Sequence, residues 1–537
     1  MEMLSTFDTD DDEPLPQERS MAWLRRRRQI AYKRLKKALG RIDDTEDFLR
    51  MLWCTDRIGD KQFEALNFFT IQPKETVEFI QQPYRINKWT LETLVNFFLR
   101  SKPLRKRGEK RNKTLNVRHL NSPLHLIKLT NELENADDGL ALKRVDVTGE
   151  IARLAQRQFP WQRGKMNREA FFKSAYLFTF PEADDYFTKK YGISVHDFCF
   201  AGFAIYAMLK KQPACQATPS VEDFRISAEL LAKGMAMYAK PEQDLRKLAG
   251  SLIQVTSHSA YQSSVLRTWP CILIPNKNIM LSPIPDLVIE RFTNGLYYDF
   301  VGPDGRIRDL IGKRFESYTT LMLESFVQNL SVKPEFKYGK KNQPSPDIFL
   351  LDQGETAVII ECKAKKATIA AKFGEEPDVL KDAALDELAK GAFQVWRFCS
   401  HVRRGIVAPP GDKFAAGISG LVVSMDTWME TSKKQHEEVL RRAKKRCADE
   451  DPEIIVEDQI PVAYCNIDDL SWVLRSCSDS DLLKTIAEAA KPDRVGWLLA
   501  NIYNEIASDE NVDKGDPLRK YIADIVKWWP EDGVQHL

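Results

Sequence analysis

Two carboxylates and a lysine bracket a pair of short apolar runs in Ser345–Lys363, SPDIFLLDQGETAVIIECK. Asp347 opens the run that ends at Leu351, Glu361 and Lys363 close the run that begins at Ala357, and the turn formers Asp352, Gln353 and Gly354 lie between. Runs rich in Ile, Val and Phe and separated by turn residues are the signature of a buried β-hairpin. Residues two apart on a strand point the same way, so Glu361 and Lys363 share a face and Cys362 takes the other. Whether Asp347 joins them depends on one residue of register. A three-residue loop over Gln353, Gly354 and Glu355 sets Asp347 opposite Glu361, whereas a plain two-residue turn sets it opposite Ile360, so the longer loop or a bulge is predicted. Two carboxylates meeting there offer Mg2+, with Mn2+ as a substitute, the hard oxygen ligands it prefers, and leave other positions for water and a phosphate oxygen. Such an ion polarises a phosphoryl group and yields hydroxide from bound water, while the ammonium of Lys363 stabilises charge that develops on the phosphate. The chemistry these groups fit is phosphodiester hydrolysis.

The bare letters carry little of this. Composition alone produces about 11 acid-x-Lys/Arg triplets in such a chain, and Pro-Asp recurs at Asp286, Asp304, Asp378 and Asp493. Among these places, only Glu361 and Lys363 close an apolar strand whose hairpin partner carries the Pro-Asp. The opposing reading is an ordinary hairpin with charged ends; against it, a charged pair closing so apolar a run is costly unless paired or metal-bound. With Pro346 and Asp347 followed by Glu361, Cys362 and Lys363, the segment resembles the PD-(D/E)XK nuclease superfamily, the restriction-endonuclease-like fold, over about residues 309–470. The resemblance implies a core of helix, three-stranded meander, helix and further strand, and a Mg2+-dependent endonuclease. It favours DNA, the usual substrate of the family, over RNA, although no residue here separates the two. It also implies roles for two more residues. A glutamate on the first core helix reaches the metal or its water in several branches, which points to Glu316. In one branch a Gln-x-x-x-Tyr motif orients groups near the active site, which points to Gln394, with Phe398 standing where the tyrosine would. Bacterial restriction or antiviral defence follows by analogy, and a homodimer would serve to cut both strands. The alternative is a catalytically silent nucleic-acid-binding or scaffold protein that keeps the fold; the intact Asp347, Glu361 and Lys363 argue against it.

The elements that must position these residues can be laid out around the hairpin. A helix from about Asp309 to Leu330 carries Ile311, Phe315, Tyr318, Met322 and Phe326 on one face, with Glu316 beside it. A second helix spans about Val379–Val402 on the spacing of Leu385, Leu388, Phe393, Trp396 and Phe398, and Gly417–Met425 reads as the next strand. Lys365 falls on the strand parity of Lys363 and is a candidate phosphate contact. So are Arg441, Arg442 and Lys445, on a charged helix Ser432–Arg446 that follows the strand directly. A strand at Pro461–Cys465, helices over Asp468–Leu474, Asp481–Ala489 and Val495–Ile506, and a last helix Pro517–Trp529 complete the C-terminal part. His401 has no partner motif and reads as structural.

The remaining sequence sets the context. At 537 residues and 43% hydrophobic composition the chain can bury several cores. Its formal charge of +2 means that any nucleic-acid surface comes from local basic clusters. Such clusters occur at Arg25–Arg28 with Lys33, Arg34, Lys36 and Lys37, and between Lys102 and Lys113. Nine cysteines without paired spacing fit neither a zinc site nor a disulfide framework and are expected in a reducing cytoplasm. No signal peptide is read, and the apolar run Phe198–Leu209 is too short to span a bilayer and is expected as a buried helix. No G-x4-G-K-[ST] loop is present, which argues against an ATPase motor of that class. The expected architecture is α+β or α/β: a disordered acidic tail (1–20), a helical binding or targeting domain (21–265) open to a protein partner or activator, a β-rich bridge (266–308), a nuclease core of mixed sheet flanked by helices (309–477) and a helical extension (478–537). In the bridge, Cys271–Ile274, Leu287–Arg291 and Gly295–Phe300 read as strands.

Overall fold

A computed structural model of the protein describes residues 20–521, except 83–84, 102–113, 142–146, 163, 165–167, 218–226, 253–257, 301–304, 367–382, 426–432 and 508–513. The acidic tail, the basic segment 102–113, the expected loop after Lys366 and most of the expected last helix lie outside the described residues. The strands are β1 (Ala214–Gln216), β2 (Ala239–Pro241), β3 (Cys271–Ile274), β4 (Ile279–Leu281), β5 (Ser331–Pro334), β6 (Lys337–Tyr338), β7 (Gln343–Pro344), β8 (Ile348–Asp352), β9 (Glu355–Lys363), β10 (Phe414–Ser424) and β11 (Val462–Asn466). They form a four-stranded sheet in the order β1-β4-β3-β2, a five-stranded sheet in the order β11-β10-β9-β8-β5, and the small ribbon β6-β7. Together with the surrounding helices this makes a mixed α+β chain.

The hairpin β8-β9 solves its register with a bulge. Gln353 and Gly354 both take left-handed backbone, φ 49° and 85°, so the turn is the two-residue type whose twist suits a hairpin, and Asp352 pairs with Glu355. The expected three-residue loop is not used. Instead Leu351 pairs with Thr356 and Leu350 with Val358, leaving Ala357 as an extra residue on β9. From there Ile348 stands opposite Ile360, which puts Asp347 opposite Glu361.

Each face of the five-stranded sheet is covered by a helix whose apolar spacing selects it. Helix Arg306–Phe326 buries Ile307, Ile311, Phe315, Tyr318, Met322 and Phe326, at steps of three and four, in a cluster with Leu350, Val358 and Ile360. Glu316 follows Phe315 and sits at the edge of that stripe. On the other face, helix Ala383–Arg403 packs Leu388, Ala392, Val395 and Trp396 with Phe349, Ile359 and Val422, and helix Lys433–Glu450 lies against it. Each large apolar side chain so buried contributes roughly 1.5–3 kcal/mol. β10 runs parallel to β9, in register Glu361↔Val422 and Lys363↔Ser424, and β11 runs parallel to β10, so the end of β9 is braced on the side away from β8.

The N-terminal half differs from expectation in three places. Ala214–Gln216 and Ala239–Pro241, inside the half expected to be helical, are strands of the first sheet. Leu287–Arg291 lies in an α-helix, Asp286–Phe292, rather than a strand, because Pro285 and Asp286 make a helix start and a short apolar run fits either element. Gly295–Phe300 is likewise a 3-10 segment, Asn294–Phe300, rather than a strand. Hydrophobic packing also crosses the expected boundary near residue 265. One cluster joins Leu35, Phe48 and Leu94 to Ile272 and Leu287, while another joins Phe172, Phe198 and Phe292 to the sheet through Phe315 and Ile360. Buried Lys173 pairs with Asp468, and Glu169 with Arg475, tying helix Arg168–Phe178 to helix Ile467–Ser476. Phe198–Leu209 lies within helix Val195–Lys211 and is largely buried; among the described residues no single helix is long and apolar enough to cross a membrane. All nine cysteines are buried and none forms a disulfide.

Candidate functional site

Asp347, Glu361, Lys363 and Gln394 meet at one end of the five-stranded sheet. Asp347 sits immediately before β8, and its Oδ2 accepts the Cys362 backbone N–H at 2.6 Å, which locks the carboxylate across the hairpin. Glu361 is 1% exposed and Lys363 8%. The ammonium of Lys363 donates to Glu361 Oε1 at 2.7 Å and to Gln394 Oε1 at 2.8 Å. It therefore spends two of its three donors on positioning. Glu361 Oε2 is buried with no hydrogen-bond partner among the described residues. An orphaned carboxylate oxygen of this kind is expensive in a protein interior unless a cation or donor completes it.

Glu316 faces the same cluster from helix Arg306–Phe326. Its ligand oxygen lies within 4.8 Å of those of Asp347 and Glu335, close enough for one cation to touch all three. The carboxyls are electrostatically crowded. Burial, and then the charges of Glu335 and Glu361, push Glu316 up to about 7. Burial, then Glu361 and Glu316, hold Asp347 well above the usual carboxylate range. Burial also raises Glu361, against the pull of Lys363, Lys390 and Arg397. For Lys363 burial acts downward, but the attraction of Glu361 and Asp347 outweighs it and the ammonium is held above its ordinary value. Three carboxylates that resist ionisation, one of them with an orphaned oxygen, are a donor set suited to a hard divalent cation.

Sequence reasoning missed four residues here. Glu335 lies between β5 and β6, where no periodic pattern marks it. Lys390 and Arg397 flank Gln394 at i−4 and i+3 on helix Ala383–Arg403, a spacing that could have shown them on its face. Gly391 carries a packing role: a Cβ there would come within 3.0 Å of Val422 Cγ2 and 3.3 Å of Lys363 Cε, so the glycine leaves the passage through which the lysine reaches the site.

Of the expected phosphate contacts, Lys365, Arg441 and Arg442 have carboxylate partners of their own. β9 ends at Lys363, so Lys365 does not continue the strand, and it pairs with Glu387 at 3.7 Å. Arg441 and Arg442 pair with Glu438, and Arg442 also with Asp386 at 2.6 Å, none of them in the carboxylate cluster; Lys445 is exposed on the same outer helix. His401 joins Tyr338 Oη at 2.8 Å and Asp451 at 3.3 Å, a structural link, and Phe398 packs among Phe336, Tyr338 and Phe349.

The raised Glu316 makes a testable link to pH. Between about pH 4.5 and 7 the folded protein keeps a proton that the unfolded chain has released, so this group makes the metal-free protein less stable as pH rises through that window. Urea unfolding in EDTA should therefore show Glu316→Gln gaining on wild type from pH 5 to pH 7.5. A constant difference between the two would remove Glu316 from the cluster.

No family model, curated protein or solved structure matches the chain.

Proposed function

We propose that the protein is a metal-dependent nuclease that hydrolyses phosphodiester bonds, in DNA before RNA, with Asp347, Glu361, Glu316 and Glu335 holding Mg2+. One observation carries this reading: Lys363 is pinned between Glu361 and Gln394 beside Asp347, while Glu361 keeps a buried oxygen without a partner. Element order adds to it. Helix Arg306–Phe326, the antiparallel run β5-β8-β9, helix Ala383–Arg403 and parallel β10 follow the order that the resemblance to PD-(D/E)XK nucleases implies.

The bound cation would supply Lewis acidity at the phosphoryl oxygen and a more acidic water. This chain's own residues prepare the rest. The Cys362 N–H fixes the Asp347 carboxylate before any ligand arrives. Lys363, with its third donor unused, is placed to give a hydrogen bond to a non-bridging phosphate oxygen as charge grows there. Gln394 holds the ammonium from the opposite side to Glu361 and so orients that donor. Lys390 and Arg397, on the Gln394 helix, add positive potential where an anionic strand would lie.

The reading is tested with wild type, Asp347→Ala and Lys363→Ala on linear, circular and single-stranded DNA and on RNA, in Mg2+, Mn2+ or EDTA. Divalent-dependent cleavage by wild type that both substitutions remove is the expected result. Cleavage that survives either substitution would sink this site; normal binding without cleavage in all three proteins would favour the silent scaffold.

A further inference from the structure

A cavity of about 300 Å3 in the N-terminal half takes no part in the nuclease reading. It lies where the helices Met21–Leu39, Lys88–Arg100 and Glu242–Ser251 meet, and Arg28, Tyr32, Asn96, Phe97, Arg100 and Gly250 line it. Its two arginines differ. Arg28 is neutralised by an ion pair with Asp137. Half-buried Arg100 donates to Gln262 Oε1 at 2.9 Å and to the Ser263 carbonyl at 3.4 Å, both uncharged acceptors, and its Nε has no partner. Burial draws its pKa down, and among the described residues no carboxylate pairs with it. A guanidinium partly removed from water without a counter-charge is unfavourable, and an anion relieves it.

One turn earlier on the same helix stands a complementary defect. Asn96 is buried; its Nδ2 donates to the Ser263 carbonyl at 3.1 Å and its Oδ1 has no partner. An unpaired donor and an unpaired acceptor thus share one helix face four residues apart. Beside them Tyr32 and Phe97 form a tilted ring pair with centroids 6.0 Å apart, and Tyr32 is 40% exposed. Anion, amine and flat ring are the three groups this lining asks for.

We propose that the cavity binds a nucleoside monophosphate, with the phosphate on Arg100, the base against Tyr32 and Phe97, and a base amino group donating to Asn96 Oδ1. The volume lies at the small end of ligand pockets, which suits a mononucleotide rather than a strand. Bases that carry an exocyclic amine are preferred, so uridine monophosphate binds weakest.

The test is calorimetric titration of the full chain with adenosine, guanosine, cytidine and uridine monophosphates and with inorganic phosphate. At least one amine-bearing nucleotide should bind about tenfold or more tightly than phosphate alone. Arg100→Gln should weaken it about tenfold. Because Arg100 also holds Gln262 and Ser263, two gentler variants accompany it. Tyr32→Ala changes an exposed side chain and should cost several-fold. Gly250→Trp should abolish binding by filling the space, since a Cβ at Gly250 meets nothing within 4 Å. Asp347→Ala should bind as wild type does, which separates this cavity from the nuclease site. Absence of binding at about 5 mM nucleotide, equal affinity for phosphate alone, or binding indifferent to both Tyr32→Ala and Gly250→Trp would overturn the proposal.

Discussion

Asp347→Asn is expected to lower divalent-dependent cleavage by at least about 10²–10³-fold, the scale of losing one preorganised group, and to make the metal-free protein more stable by about 1–2 kcal/mol. The two effects have one origin. Asp347 is held well above the usual carboxylate range by burial and by Glu361 and Glu316, so its ionised form is a burden on the fold that a cation would turn into binding energy. Asparagine keeps an oxygen for the Cys362 N–H and removes the charge. Thermal unfolding in EDTA and in Mn2+ reads both sides: the variant should melt higher than wild type in EDTA and lose most of the stabilisation that Mn2+ gives. A variant that melts lower in EDTA would mean that Asp347 is an ordinary structural carboxylate.

Gly202→Ala should destabilise the protein by about 3–5 kcal/mol, overpacking and a lost buried hydrogen bond together. A Cβ there would overlap Tyr238 Oη and lie 2.5 Å from Phe292 Cδ1. Neither neighbour can yield easily. Tyr238 is fully buried, donates to the Phe198 carbonyl at 2.8 Å and stacks on the Phe198 ring at 4.6 Å between centroids. Because Phe198 and Phe292 share a cluster with Phe315 and Ile360, the loss should appear in one cooperative unfolding step that includes the sheet. A urea midpoint within experimental error of wild type would refute the close packing of helix Val195–Lys211 on that cluster.

The hairpin was legible because a buried strand pair writes itself into sequence twice, as apolar runs and as turn chemistry. Asp347, Glu361, Lys363 and Gln394 converge for that reason, and the helix stripe at Ile311, Phe315, Tyr318, Met322 and Phe326 is equally plain. Glu335 could not be read, since it sits on irregular backbone between two short strands and meets Glu316 only through the fold. Strands of three residues such as β1 and β2 are too short to show a period, and Leu287–Ile289 is apolar at consecutive positions, a pattern that fits helix or strand. The basic residues are less legible. Charge along Lys433–Glu450 marks a solvated face whose arginines pair with Glu438, Asp386 and Glu450, and sequence order says nothing of where that face points.

The bulge at Ala357 makes the hairpin tolerant of a change in length. Removing that one residue would leave Leu351 against Thr356 and Leu350 against Val358, as they already stand, with Asp347 still across from Glu361. The hairpin therefore carries one residue of slack. Deleting Ala357, or adding one residue to β8 between Leu350 and Leu351, would remove the bulge and keep the same active face, whereas taking a residue out of β8 would widen the mismatch to two positions.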